Sequence, residues 1–263
     1  MFGARKTAVP MTAKTFFPLA AAVVVSVLGG STVLAQATTN NLARSYTVKA
    51  KTGMGAQFEV ALRDHAQWRA ENGDPWDWNV TMRETGEDLG TYGIRSGGHS
   101  WADFDAYDAG FGPQGLVHWN ATVAPLVESI SSAITTTNQE LSNPPPAGTA
   151  YAFVTVTKFH LRPGQELEFN RLVAEATEIL RDKLPGYWLW SSAMSGGGPG
   201  PYMNLVGFAE NWADMADPDP SFETIMMQEM GQDGFLAWMT NLGQTYRGVE
   251  SYTLRRRPDM DVR

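Results

Sequence analysis

The feature that most constrains this chain is that it repeats itself. The segment SYTVKAKTGMGAQFEVALRDHAQW, from Ser45, aligns with TVTKFHLRPGQELEFNRLVAEATEI, from Thr155, so that Gly53 falls on Gly164 and Phe58 on Phe169. Further on, Trp76-Asp77-Trp78 matches Trp188-Leu189-Trp190, Trp101-Ala102-Asp103 matches Trp212-Ala213-Asp214, and Val127-Glu128-Ser129 matches Val249-Glu250-Ser251. The spacing is nearly constant until a modest insertion before the last strand of the second half. One such match arises by chance, but an ordered set means two copies of one folding unit.

Each half reads alike. An alternating strand (46–51; 153–161) passes through a glycine turn into a helix whose apolar positions, Phe58, Ala61, Leu62 and Phe169, Leu172, Val173, Ala176, Leu180, bury one face. A Trp-rich strand (76–82; 187–193), a third strand (89–95; 202–208), a helical stretch and a closing strand (127–134; 249–255) follow. The order is βαββαβ twice, over 45–134 and 152–256. Between them, 135–151 holds Asn143-Pro144-Pro145-Pro146 and reads as a Pro-rich linker, because proline continues neither helix nor ladder. Residues 257–263 read as a C-terminal tail.

A βαββαβ unit is a four-stranded antiparallel sheet with both helices on one face and nothing on the other. Two tandem ferredoxin-like units solve this by pressing their open faces together. The order, the glycine-turn-helix opening with Phe58 and Phe169, and the Trp-Ala-Asp after the third strand resemble the dimeric α+β barrel superfamily in its fused, pseudo-dimeric form, an α+β fold. Within it the chain looks most like the antibiotic-biosynthesis-monooxygenase-like branch. That resemblance implies small pockets between sheet and helices and, in many members, oxygenation of aromatic substrates without a cofactor.

The first 37 residues carry Arg5, Lys6 and Lys14, an apolar run over 16–28, and Val33-Leu34-Ala35-Gln36-Ala37. This is the pattern of a signal peptide cleaved after Ala37, which predicts a periplasmic or secreted protein with no membrane association after cleavage. An uncleaved anchor needs about 20 apolar residues, and Gly29, Gly30 and Ser31 interrupt the run first. The 263 residues include no cysteine, which excludes disulfides, thiolate metal sites and cysteine nucleophiles. A formal charge of −8 without a basic run argues against nucleic acid as a partner.

The four histidines form no spaced metal motif, so neither metal nor cofactor is expected from the sequence. His65 lies on the buried stripe of the first helix, where the second half has Ala176, and is with His99 a candidate proton acceptor in the first-half cleft. His160 shares an inward strand face with Val154, Val156 and Lys158 and is the first candidate for a general base. His99 follows the third strand, opposite Glu210 in the repeat, and His118 stands near Trp119 with no evident task. Trp76 and Trp78, and Trp188 and Trp190, form twin aromatic walls suited to a small, flat, aromatic ligand. Where the halves differ, one pocket has been specialised: Tyr92 against Met203 and Arg95 against Val206 mark the first-half cleft as the polar one, provided both project into it. Strand alternation puts those two on opposite faces unless the strand is bulged.

The acids at 103, 105 and 108 and at 214, 217 and 219 lack the glycine and terminal glutamate of a calcium loop and read as helix entries. Three functions follow from the same clefts. One is an exported small-molecule-binding protein, with cofactor-independent monooxygenase activity among its options. Another is a non-catalytic ligand-binding or interaction protein. The third is a haem enzyme similar to chlorite-dismutase-like proteins, for which His160 or His65 would supply the axial ligand. Oligomeric state is not legible.

Overall fold

A computed structural model describes residues 40–263 apart from Gly197 and Pro199. The signal-peptide expectation lies outside the described residues. The first unit contains β1 (Leu42–Ala50), α1 (Gly55–Glu71), β2 (Asn79–Arg83), β3 (Thr91–His99), α2 (Trp101–Ala109), α3 (Gly112–Thr122) and β4 (Val127–Asn143). The second contains β5 (Phe153–Leu161), α4 (Glu166–Leu180), β6 (Trp188–Ser195), β7 (Tyr202–Ala209), α5 (Phe222–Thr245) and β8 (Tyr246–Arg256).

The matched glycines have matched work. Gly53 and Gly164 adopt φ of 80° and 78°, a left-handed conformation that turns each first strand into its helix and that a Cβ disfavours. Phe58, Leu62, His65 and Ala66 then form the buried stripe of α1, and Phe169, Leu172, Val173, Ala176 and Leu180 that of α4. Trp101 and Trp212 occur at corresponding places after β3 and β7, and both are about half exposed. Asp103 closes a capping box with Ser100 at the start of α2, while Asp214 accepts hydrogen bonds from the backbone of Glu210 and Asn211. In the second unit α5 replaces the α2–α3 pair and is kinked at Gly231.

The eight antiparallel strands close into one barrel in the order β1-β3-β2-β8-β5-β7-β6-β4. Each sheet has its helices outside and its bare face toward the barrel axis. The units are also stitched edge to edge, because β2 pairs with β8 and β4 with β6. That stitching changes the reading of 135–151: residues 135–143 continue β4 and pair with β6 from Thr135↔Ala193 to Asn143↔Trp188. The strand stops where Pro144 first removes a backbone donor. The Trp-rich strand of the first unit is shorter than expected, with Trp76 ahead of β2 and Trp78 held by an isolated bridge to Val262.

The tail at 257–263 is part of the first unit's core rather than an appendage. Trp78 and Val262 exchange backbone hydrogen bonds of 3.0 Å, Met260 and Val262 are buried, and Arg257 clasps the Glu59 carboxylate at 2.6 and 2.9 Å. That clasp holds the Glu59 carboxyl down at about 2.

Candidate functional site

Pleating sorts the strand residues into two environments. Tyr46 pairs with Ile94 and Val48 with Tyr92, and these even-numbered positions of β1 and β3 face the helices. The odd-numbered ones as far as Gly97, including Arg95, face into the barrel, and the irregularity opposite Leu42/Ala43 then turns His99 to the helix side. A cleft of about 410 Å³ lies between the outer face of the first sheet and α1 and α3, and Tyr46, His65, Arg69, Trp78, Tyr107 and Trp119 line it. Its counterpart in the second unit, about 840 Å³, is lined by Phe159, Trp188, Trp190, Leu205, Trp238 and Tyr246 among others.

The repeat makes the contrast between the clefts specific. His65 corresponds to Ala176, Arg69 to Leu180, Arg44 to Thr155 and Tyr46 to Thr157, and all eight residues line their respective clefts except that both units keep tryptophan where Trp78 corresponds to Trp190. At these positions the first cleft carries histidine and arginine where the second carries alanine, leucine and threonine, while Thr177, Glu210 and Asp214 give the second cleft polar groups of its own.

In the first cleft, Asp74 is the organising group. Its carboxylate takes the Arg69 Nε–H at 2.6 Å, the Trp78 indole N–H at 3.1 Å and the Trp76 backbone N–H at 3.0 Å. Arg69 in turn donates to the Tyr107 hydroxyl and lies 4.7 Å over the Trp78 ring, a cation–π contact. Burial pushes the Tyr107 hydroxyl up to about 12, so it stays protonated. Arg44 stacks 4.7 Å over Phe104 and pairs with Asp108 at 3.2 Å.

His65 meets His118 of α3, Nδ1 to Nδ1, at 2.8 Å. The proton between them can be assigned from the network. Thr122 donates its one hydroxyl proton to the His118 carbonyl at 2.8 Å, so its 3.3 Å contact with His118 Nδ1 is a hydrogen bond only with that nitrogen as donor. With the proton on His118 Nδ1, His65 accepts at its own Nδ1 and its neutral ring carries a proton on Nε2. That Nε2 is buried and has no partner among the described residues. Burial, and then the neighbouring Arg69 and His118, hold His65 down at about 3. It is a hydrogen-bond donor left unsatisfied beside a cleft, and too weak a base for the proton-accepting role expected of it.

This depression has a measurable sign. A histidine whose folded pKa lies below its unfolded value of 6.5 binds protons better in the unfolded chain. Its stabilising contribution is whole above pH 6.5 and is lost progressively as pH falls toward 3. Urea unfolding between about pH 7 and pH 5, above the range where ordinary carboxylates titrate, is expected to show this decline. In His65→Leu the slope is expected to flatten; an unchanged slope rules His65 out as its source.

The other expected site residues are dispersed. His99 stacks on Trp76 at 3.8 Å and bonds Ser96 at 2.6 Å, both inside the core, and burial lowers its pKa against the pull of Asp103. Tyr92 faces the helices but donates to Glu59 at 2.8 Å, outside the cleft lining. Arg95 points into the barrel, because β3 runs without a bulge between Arg95 and Tyr92 and alternation separates them. His160 also faces the barrel and bonds Glu250 at 2.6 Å, so it serves neither cleft. Trp76 supports the cleft from behind. Arg69, Asp74, Tyr107 and His118 were not singled out from the sequence; only Arg69, one helical turn beyond His65, carried a signal.

These residues do not fit a haem. The roomier cleft has no histidine among its lining residues, and His65 stands in the cleft half that size, with the Arg69–Tyr107 contact in its wall.

The sequence matches no protein-family model and no curated protein. Among solved structures, it resembles a candidate monooxygenase from Fusobacterium nucleatum subsp. nucleatum ATCC 25586, with a TM-score of 0.54 and 12% identity over 83% of this chain and 93% of that one. An anthrone oxidase-like protein gives 0.52 and 11% over 83% and 92%. A candidate monooxygenase from Lactobacillus acidophilus NCFM gives 0.51 and 10% over 85% and 96%. Identity this low speaks to fold alone: a closed α+β barrel built from two tandem ferredoxin-like units in one chain, the fold expected from the sequence.

Proposed function

We propose that the first-unit cleft binds a small, flat, aromatic molecule carrying a carbonyl or phenolate oxygen, in an exported small-molecule-binding protein. The observation that carries this reading is a cleft walled by Trp78, Tyr46 and Trp119 with His65 in its lining, the Nε2 of which is buried without a partner among the described residues. An unmet buried polar atom is costly, and a ligand oxygen toward which the His65 ring turns removes that cost. The leader-like pattern of residues 1–37 supports export.

A second reading, cofactor-independent oxygenation, draws on the structural likeness to proteins described as monooxygenase and anthrone oxidase-like. In that chemistry a ring CH2 becomes C=O with one atom of dioxygen while the other leaves as water. His65 Nε2–H would stabilise the substrate oxygen as negative charge collects on it.

Titration of tryptophan fluorescence with 2-naphthol and with anthrone tests the binding. Saturable quenching is expected, about tenfold weaker in His65→Ala, or ~1.4 kcal/mol, and unchanged in Trp188→Ala of the other cleft. Binding that ignores His65→Ala removes the assignment. Oxygen uptake above that of free anthrone separates oxygenation from binding alone.

A further inference from the structure

Beyond Thr91 at its start, the inner face of β3 carries a single side chain. Gly93, Arg95 and Gly97 alternate there, and beside them β1 presents Ala43, Ser45 and Thr47 and β4 presents Ser129, Ser131 and Ala133. The second unit's inner face is bulkier, with Val154, Val156 and Lys158 on β5 and Val206 and Phe208 on β7. One wall of the barrel is therefore thin. Thr47 lies mid-strand, paired on both sides, yet is exposed, as is Ser131 opposite it. A residue so placed in a closed barrel meets water only if the barrel is hollow.

Arg95 projects into that hollow. Protein surrounds it closely enough that burial lowers its pKa, while its surface stays accessible from the lumen. Its Nη1 lies 2.8 Å from where a Cβ on Gly97 would stand, so glycine at 97 is what leaves room for the guanidinium. Arg44, Arg69, Arg255, Arg256 and Arg257 are each tied to a carboxylate. Arg95 makes no hydrogen bond or ion pair among the described residues. Its counterpart in the repeat is Val206, so the fold does not require a charge here. On the inner face of β7, Asn204 adds a second unmet group: its Oδ1 is buried without a partner.

We propose that the barrel lumen is a binding site separate from the clefts, for a small molecule bearing a carboxylate or phosphate, with Arg95 as the anion receptor. The guanidinium fork matches either group with two parallel hydrogen bonds. Ser45, Thr47 and Ser131 offer hydroxyls along the thin wall. An enclosed charge without a counter-ion destabilises a protein, and a bound anion removes that cost.

Calorimetric titration of the protein with inorganic phosphate, succinate and benzoate tests this and separates phosphate from carboxylate ligands. Saturable binding of at least one probe is expected, at least tenfold weaker in Arg95→Met and partly recovered in Arg95→Lys. Without anion, Arg95→Met is expected to raise Tm, and its 2-naphthol titration to match that of the unaltered protein. Ser131→Leu, which fills the lumen and leaves Arg95 in place, is expected to weaken the same probe and reads the site independently should Arg95→Met not fold. No saturable binding of any probe, or binding indifferent to Arg95→Met or Ser131→Leu, overturns the proposal.

Discussion

Phe58→Ala is expected to lower the unfolding free energy by about 3–5 kcal/mol, and Phe169→Ala to lower it by a similar amount. Both rings are fully buried. Phe58 packs on Tyr92 at 4.8 Å between centroids, and Phe169 on Phe159 and Trp190 at 5.4 and 5.6 Å. Each occupies the first buried position of its unit's leading helix, against the outer face of its own sheet. Truncation removes a whole ring and leaves a cavity that rigid strands cannot close. The two rings belong to different core clusters, so the costs are expected to add in the double variant to within about 0.5 kcal/mol. Urea unfolding of the three variants measures this. A cost below about 1 kcal/mol at either position contradicts the equivalence of the units at their cores.

Asp74→Ala is expected to cost about 3–5 kcal/mol and to weaken ligand binding in the first cleft. The Asp74 side chain is wholly buried and holds Arg69, the Trp78 indole and the Trp76 amide at once. Its loss leaves the Arg69 side chain, 13% exposed, without its carboxylate and releases the ring over which its guanidinium lies. Asp74→Asn keeps acceptors for the N–H groups but not the charge, and is expected to cost less. Combining Asp74→Ala with Arg69→Leu is expected to recover part of the loss, since leucine is what the second unit carries at the corresponding Leu180. Removing both charges takes away the uncompensated one. Chemical denaturation together with 2-naphthol titration checks both effects; equal stability of the double variant and Asp74→Ala would show that the stranded Arg69 is not the source of the cost.

Much of the architecture was present in the order of residues along the chain, because it rests on short-range periodicity. The stripe from Phe58 to His65, its copy from Phe169 to Leu180, the glycines at 53 and 164 and the alternation of β5 each reflect a local rule about which face is buried. A repeated pattern of such rules implies two units with bare sheet faces, and geometry leaves those faces little option but each other. Even the chemical contrast between halves was legible at His65 and Ala176, since aligned positions in a repeat occupy equivalent places.

What tertiary structure alone decided are the pairings between distant positions and the cavity each strand face meets. His118 finds His65 only because α3 packs on α1, and no spacing within either helix announces it. Val262 returns to Trp78 and Arg257 to Glu59 across most of the chain. Alternation placed Tyr92 and Arg95 on opposite faces, but not which face was cleft and which was lumen; barrel closure through β2–β8 and β4–β6 settled that. A side chain's chemistry depends on its surroundings. For Arg95 those are a hollow built from the small residues of three strands, assembled only when the last strand closes the ring.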